Sequence, residues 1–183
     1  GAWTKNLNCA TTSAAGRVFD AAAALVLGKT HVSFEAEGPM HLEALCQAAA
    51  APVRLPSAQD ENGVWRADWR PLLRMLSDES RSRALRAEIF HSSMACLVLE
   101  QAQTVRDEHG VSKVGLSGGV FQNRLLLDAV TRARPGLDLL ASDHRLTRAS
   151  LAIARRPANG HRGPALYLSP PRTLTDLTLW SRL

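Results

Sequence analysis

One short stretch constrains the fold of this chain more than any other. Residues 114–123 read VGLSGGVFQN, an apolar run that breaks at Gly118 and Gly119 and continues into an apolar-periodic segment. The pattern predicts a β-strand, a two-glycine turn and the start of a helix. Glycines allow close approach of a backbone to a ligand, and the free N–H groups of a helix start favour negative groups, so the connection suits a nucleotide. The structural alternative is a tight strand-to-helix connection with no ligand.

The remaining patterns predict a helix-rich α/β chain. Helices are expected over residues 16–27, 40–50, 71–76, 80–109 and 120–134, with glycine stops at 28 and 110 and N-caps at 11–13. Extended segments are expected near 32–34, near 64–65 in the connector 51–66, at 111–116 and at 137–141, with a turn at 135–136. Helices followed by β-α-β suit half of a nucleotide-binding α/β domain of the actin-like ATPase type.

The net charge of +5 comes from one end of the chain. Residues 146–183 hold six arginines and one acidic residue, together with four prolines. This tail has no sustained helical or alternating pattern, so it is predicted to be poorly ordered. It also lacks a regular spacing of basic and aromatic residues, which makes nucleic-acid binding an unfavoured interpretation.

The chain shows no apolar stretch of membrane-spanning length and no signal-peptide pattern. A cytoplasmic setting without membrane contact is therefore expected. Cys9, Cys46 and Cys96 form no C-x-x-C pair and are predicted to be buried free thiols. The histidines form no H-x-x-x-H pair, so no metal ligand is predicted, and His91 is expected to pack or hydrogen-bond along the long helix.

Several stretches resemble one enzyme family, the hydrogenase-maturation carbamoyltransferases (HypF), in the C-terminal part of the carbamoyl-transferring domain. The glycine motif LSGGVFQNRLLL lies at 116–127, and TSAAGRVFDAAAAL lies at 12–25. Shorter matches at 33–45, 68–73 and 90–91 follow in the same order. Together they cover roughly residues 7–145 in register, which is more specific than any one motif.

The resemblance implies a fold, an activity, one partner protein and two cofactors. Residues 1–145 would be the C-terminal half of the carbamoyltransferase nucleotide-binding domain, that is, the second half of an actin-like ATPase (ribonuclease H-like) domain, and 146–183 would be the basic tail. In the family, a carbamoyl group from carbamoyl phosphate passes through a carbamoyl-adenylate to the C-terminal cysteine of a partner protein in [NiFe] hydrogenase maturation. An ATP/AMP-type nucleotide is implied, and so is a divalent metal whose histidine ligands lie upstream of the matched segment.

Carried onto this sequence, the resemblance assigns nucleotide contacts to the glycine motif at Ser117, Gly118, Gly119 and Asn123. Arg17 could pair with phosphate, and Asp20 and Glu43 could accept from ribose. The competing interpretations are an (i, i+3) salt bridge between Arg17 and Asp20 and a solvated Glu43. Phe19 is expected to anchor the core, and no catalytic residue is identified.

Two departures from the family pattern bear on activity. A second signature, N-D-x-G-L, is implied to complete the metal site, and nothing like it follows Ala141. At the expected place, residues 146–150 read Leu-Thr-Arg-Ala-Ser. One codon choice that encodes these five residues also encodes Asp-Ala-Gly-Leu when it is read from two bases later. This second reading frame suggests a frameshift near residues 141–146. The second departure is Ala36-Glu37 where the family has Gly-Gln, and the added carboxylate is expected to repel phosphates.

Three function classes follow: a fragment of the carbamoyltransferase that is inactive alone, a fragment of the related tRNA threonylcarbamoyladenosine-synthesis enzyme, and a non-catalytic nucleotide- or protein-binding remnant. Sequencing the encoding DNA about a kilobase to each side, in all frames, separates them. We expect a histidine-pair motif upstream and N-D-x-G-L in a shifted frame downstream. Clean start and stop codons without family sequence outside them would favour the remnant.

Overall fold

The computed structural model describes residues 12, 14–61, 63–111, 113–133 and 138–141. The helices in these ranges are α1 (Ala15–Leu27), α2 (Glu37–Ala44), α3 (Arg70–Leu76), α4 (Arg83–His109) and α5 (Arg124–Arg132). The strands are β1 (Ser57–Gln59), β2 (Trp65–Ala67), β3 (Lys113–Leu116) and β4 (Asp138–Ala141). The predicted order of helices followed by β-α-β is confirmed.

Helix α4 forms the centre of the core. It begins after Ser82, whose Oγ accepts from the Leu85 N–H at 3.1 Å, and it ends at Gly110, which has a left-handed φ of 67°. Apolar residues recur on several sides of the helix, and α1, α2, α3 and α5 all pack against it. Phe90 is fully buried and meets Phe19 of α1 edge to face, with ring centroids 4.8 Å apart. Burial of each large apolar side chain contributes roughly 1.5–3 kcal/mol to the stability of the fold. Phe19 therefore anchors the core, as predicted.

Two polar side chains of α4 fix the connector that follows α2. Glu88 accepts from the N–H groups of Gln47 and Ala48 at 2.9 and 3.0 Å. The Ser93 hydroxyl accepts from the Val53 N–H at 2.9 Å and donates to the Ile89 carbonyl at 2.6 Å. These bonds satisfy backbone groups outside a helix, which is why α2 ends at Ala44 rather than at the predicted residue 50.

The strands form two small sheets. β1 and β2 pair antiparallel, with Ala58 opposite Arg66. β3 and β4 pair parallel, with Val114 opposite Leu139, and α5 lies between them in the chain. Because the carboxyl ends of parallel strands share one edge, β3 leads directly into the two-glycine segment at the edge where α/β sheets bind ligands.

Three predicted elements differ from the structure. The helix expected over 120–134 is divided, because residues Gly119–Gln122 form a 3₁₀ turn and Asn123 adopts an extended backbone before α5. The extended piece predicted near 32–34 is absent, since residues 33–34 form a bend, and α2 begins at Glu37 rather than at residue 40. The predicted turn at 135–136, Cys9 and the basic tail lie outside the described residues. Within those residues, no helix is both long and apolar enough to cross a membrane.

The residue before α2 is strained. Ala36 has a φ of 67°, a left-handed conformation that costs an L-residue with a Cβ roughly 1–2 kcal/mol. We expect Ala36→Gly to raise the free energy of unfolding by about 0.5–1 kcal/mol, because glycine relieves the strain but loses more backbone entropy on folding. Urea unfolding measures the change.

The control is Ala21→Gly, at an exposed position inside α1. There glycine is expected to lower the free energy of unfolding by about 1 kcal/mol. Destabilisation of similar size in both variants would contradict the assignment of strain to Ala36.

Candidate functional site

A cleft of about 720 Å³ lies between three segments that are distant in sequence. They are the N-terminus of α1, the start of α2 with the residues before it, and the 3₁₀ turn with the start of α5. The volume is typical of a small-molecule site. Five of the seven predicted site residues line it: Arg17, Asp20, Glu43, Gly119 and Asn123.

The glycine segment forms one wall. Gly118 has a φ of 99°, which an L side chain rarely adopts, and Gly119 lines the cleft with open space where a Cβ would stand. The first internal bond of the turn runs from the Phe121 N–H to the Gly118 carbonyl at 3.1 Å. The N–H groups of Gly119 and Val120 precede that bond, so they are available to a ligand in the cleft.

Ser117 lies beside this wall but does not line the cleft. The residue is 8% exposed, and its Oγ has no hydrogen-bond partner in the described part of the chain. A buried hydroxyl without a partner is unfavourable, so a water or ligand atom would stabilise it.

The N-terminus of α1 forms the opposite wall. Ala14, Ala15 and Gly16 line the cleft, and no side chain caps the helix at its N-cap residue, Ala14. Of the caps predicted at 11–13, Thr12 accepts from the Ala14 N–H at 3.2 Å, which lies before the helix. The first N–H groups of α1 and its positive dipole end therefore face the cleft.

The N-terminus of α5 is already occupied by the protein itself. Glu43 of α2 accepts from the N–H groups of Arg124 and Leu125 at 2.8 and 3.4 Å, and Asn123 Oδ1 accepts from the Leu126 N–H at 2.9 Å. The start of α5 therefore does not offer these N–H groups to an anion. The N–H groups expected directly after the glycines are those of Gly119 and Val120 in the 3₁₀ turn, and their contact with a ligand stays a prediction, as does that of the first N–H groups of α1.

Asn123 is bonded at both ends of its amide. While Oδ1 caps α5, Nδ2 donates to His91 Nε2 at 2.9 Å, and His91 Nδ1 lies 2.8 Å from the Ala87 carbonyl. The predicted hydrogen bond of His91 along α4 is thus present, but its link to the cleft was missed. Asn123 retains one amide hydrogen for a ligand, so its predicted nucleotide contact remains a prediction.

Cys46 lies beside this pair without forming a reactive thiolate. Its Sγ is 3.5 Å from His91 Nδ1, and burial raises the pKa of the thiol to about 11. Burial also lowers the pKa of His91. The two groups are therefore both neutral near neutral pH, and Cys46 and Cys96 are half-buried free thiols rather than fully buried ones.

The predicted alternative for Arg17 and Asp20 is present in the structure. Arg17 Nη1 lies 2.8 Å from Asp20 Oδ2, as an (i, i+3) ion pair, with the Arg17 side chain 57% exposed. Both residues also line the cleft. The ion pair leaves the Arg17 guanidinium exposed to solvent beside the cleft, so the phosphate contact stays a prediction.

The carboxylate of Glu37 does not act as the sequence suggests. Glu37 is buried, accepts from Lys29 Nζ and the Ser33 N–H, and is absent from the described lining of the cleft. The hydrogen bond from Lys29 is the main cause of the lowered pKa of Glu37. Lys29 therefore compensates the charge that was expected to repel phosphates.

Metal-ligating side chains do not converge in the described residues, where no group of three or more His, Cys, Asp or Glu could hold an ion. The described side chains that line the cleft can bind and orient a polar ligand.

The chain has clear relatives. A family model described as "Carbamoyltransferase, Kae1-like Domain, second subdomain" matches residues 1–145. Carbamoyltransferase HypF of Synechocystis sp. is 35% identical over 127 residues, and a HypF homolog of Cupriavidus necator is 33% identical over 136. These alignments cover 67% and 69% of this chain, but 16% and 34% of the relatives.

A solved structure agrees with these matches. The crystal structure of full-length HypF in the phosphate- and nucleotide-bound form superposes with a TM-score of 0.64 at 28% identity. The superposition covers 69% of this chain and 17% of that protein. The likeness shows the expected fold class, while the chain spans about one sixth of the length of that protein.

Glu43 is expected to stabilise the site by joining α2 to α5. Glu43→Ala removes both hydrogen bonds to the first turn of α5, so the free energy of unfolding should fall by about 1 kcal/mol, as for a lost N-cap. Glu43→Gln keeps an acceptor and should lose less than half as much. Chemical denaturation measures both, with exposed Glu79→Ala as the control, and equal losses in all three variants would contradict the capping role.

Proposed function

Since this chain belongs to the HypF carbamoyltransferase family, we propose that it forms part of a carbamoyl-transferring domain and binds an ATP/AMP-type nucleotide in its cleft. In the proposed reaction, a carbamoyl group from carbamoyl phosphate is carried as a carbamoyl-adenylate. It then passes to the C-terminal cysteine of a partner protein in [NiFe] hydrogenase maturation. The setting of this reaction is cytoplasmic.

One observation carries the proposal. Two sets of backbone N–H groups, from the start of α1 and from Gly119 and Val120, meet across a cleft that also holds Arg17. Backbone N–H groups at helix starts and glycine turns are suited to phosphate oxygens, and a guanidinium adds a planar, charged fork. Full-length HypF, the structural neighbour, has been solved with phosphate and nucleotide bound.

The charges of the cleft favour a nucleotide with few phosphates. Its lining holds the carboxylates of Asp20, Glu35 and Glu43 against the guanidinium groups of Arg17 and Arg124. A triphosphate would meet a net negative surface unless a cation accompanied it. A single phosphate, as in AMP or an acyl-adenylate, fits this balance better.

The remaining lining suits the nucleoside. Asp20 and Glu35 can accept from ribose hydroxyls, while Met40 and Pro39 provide apolar surface for a base. Phe19 lines the inner wall but is 2% exposed, so it shapes the cleft rather than stacking freely on a base.

The proposal assigns binding, not turnover, to this segment. The chain spans 16% of the Synechocystis HypF and 34% of the Cupriavidus necator homolog. Formation of the adenylate and any metal chemistry are assigned to the rest of such an enzyme, since the described residues gather no metal-binding group. The 183-residue chain is therefore expected to bind a nucleotide without catalysing transfer alone.

Isothermal titration of the 183-residue chain with AMP and with ATP tests this function. Arg17→Gln should weaken AMP binding about tenfold, because a charge-assisted hydrogen bond to phosphate is lost. Gly119→Asp should weaken it further, because the new carboxylate would stand beside the N–H groups that meet the phosphate. Gly119→Ala should leave the fold intact, since a Cβ there meets no protein atom, and should weaken AMP binding less than Gly119→Asp because it adds no charge.

The matched control is Arg132→Gln. Arg132 forms an (i, i+4) ion pair with Asp128 on α5, at 3.2 Å, and does not line the cleft. Arg132→Gln therefore removes the same charge as Arg17→Gln, but from a surface outside the cleft. Equal affinities in Arg17→Gln, Arg132→Gln and Gly119→Asp would sink the assignment of the phosphate site, and no heat with either nucleotide would sink the proposed function.

A further inference from the structure

The cleft depends on a polar contact that reaches into the core. Asn123 and His91 are 8% and 4% exposed, and they are joined by the 2.9 Å bond from Asn123 Nδ2 to His91 Nε2. His91 lies in the first third of α4, 32 residues before Asn123 in sequence, and its ring also meets Phe19 and Phe90 edge to face. A histidine so enclosed has little freedom to rotate.

The hydrogen bonds of His91 define its protonation state. The Ala87 carbonyl beside Nδ1 can only accept, so Nδ1 carries a proton. Asn123 Oδ1 accepts from the Leu126 N–H, so the amide group beside His91 is Nδ2, which can only donate. Nε2 must therefore be an unprotonated acceptor, and the histidine is neutral.

A second proton on His91 has no place in this arrangement. Protonated Nε2 would face the Asn123 amide as donor against donor. Rotation of the amide would remedy that clash but would turn Nδ2 towards the Leu126 N–H, which creates the same clash at the start of α5. Protonation of His91 therefore breaks either the His91 contact or the cap of α5.

We propose that His91 is a positioning residue for the cleft, which in its neutral form holds Asn123, the N-terminus of α5 and the adjoining 3₁₀ turn in the binding shape and releases them when protonated. The effect on ligand affinity rests on the proposed nucleotide site. The effect on the cap of α5 does not.

The neighbours of His91 agree with a release on acidification. Burial lowers the pKa of His91 from its ordinary value of 6.5, which outweighs the opposing effects of the Ala87 carbonyl and the Glu43 carboxylate of α2. Cys46, which follows α2, stays neutral, and α1 presents the Phe19 ring. Because the folded-state pKa is lowered, the stability from neutral His91 is present above 6.5 and is lost as the pH falls below it.

Hydrogen exchange of the Leu126 amide, followed by NMR on the 183-residue chain, tests the proposal. Rates are normalised to the intrinsic rate at each pH to give protection factors. In the wild type we expect the Leu126 protection factor to fall about fivefold between about pH 8 and about pH 5, as for loss of an N-cap. The exposed histidine at the end of the same helix provides the control, since His109→Gln should behave as the wild type.

Three variants separate titration from packing. His91→Gln offers a carbonyl to Asn123 without a titratable group, so its Leu126 protection should not change with pH. His91→Phe keeps an aromatic ring but no acceptor, so protection should be low at both pH values. Asn123→Asp still caps α5 but places a carboxylate beside Nε2, which favours the charged imidazole. In this variant the Leu126 protection factor should therefore be higher at acidic pH than at alkaline pH, the reverse of the wild type.

A wild-type protection factor that stays constant, or a fall in His91→Gln equal to that of the wild type, would overturn the proposal. If His91→Phe does not fold, His91→Gln and Asn123→Asp decide the outcome.

AMP titrations at both pH values form the second arm of the test. The wild type is compared with His91→Gln, because the protonation of the AMP phosphate changes the affinity of both proteins equally. If the wild type binds AMP at neither pH, the proposed function fails, while the exchange result still decides the role of His91.

Discussion

The burial of α4 on several sides is the constraint on which the other elements depend. A helix of 27 residues with apolar side chains on many faces cannot lie at a surface, so α1, α2, α3 and α5 must pack around it. The edge-to-face contact of Phe19 with Phe90 fixes α1 on one side. Glu88 and Ser93 fix the connector after α2 on another, by satisfying backbone groups that no strand or helix would satisfy.

The cleft can bind a polar ligand because side chains cap only one of the helix starts beside it. Three N-terminal segments lie near each other, and each has unpaired N–H groups that need an acceptor. The start of α5 receives acceptors from Glu43 and Asn123, whereas α1 and the glycine turn receive no cap from a described side chain. Side chains of the protein therefore occupy the anion-binding position at the start of α5. They leave the N–H groups at the start of α1 and at the glycine turn for a ligand.

Sequence patterns predicted the elements better than their ends. Periodicity and glycine stops placed α1, α3 and α4 within a few residues, because these helices bury regular apolar faces. The division between the 3₁₀ turn and α5 was missed, because the apolar residues before it, at 120–121, and after it, at 125–127, are compatible with one continuous helix. What separates the two is the cap formed by Asn123, whose importance depends on a histidine 32 residues earlier. Long-range polar contacts of this kind leave no periodic signal in a sequence.

The same argument limits how a nucleotide could lie in the proposed complex. Glu43 occupies the start of α5, so a phosphate placed there would meet a carboxylate as well as occupied N–H groups. The phosphate is therefore directed to α1 and the glycine turn, and the nucleoside to the side of Glu35 and Met40, next to the strained Ala36. In the proposed complex, the carboxylate that stabilises α5 would thereby also orient the ligand, so one residue would couple the stability of the fold to the direction of binding.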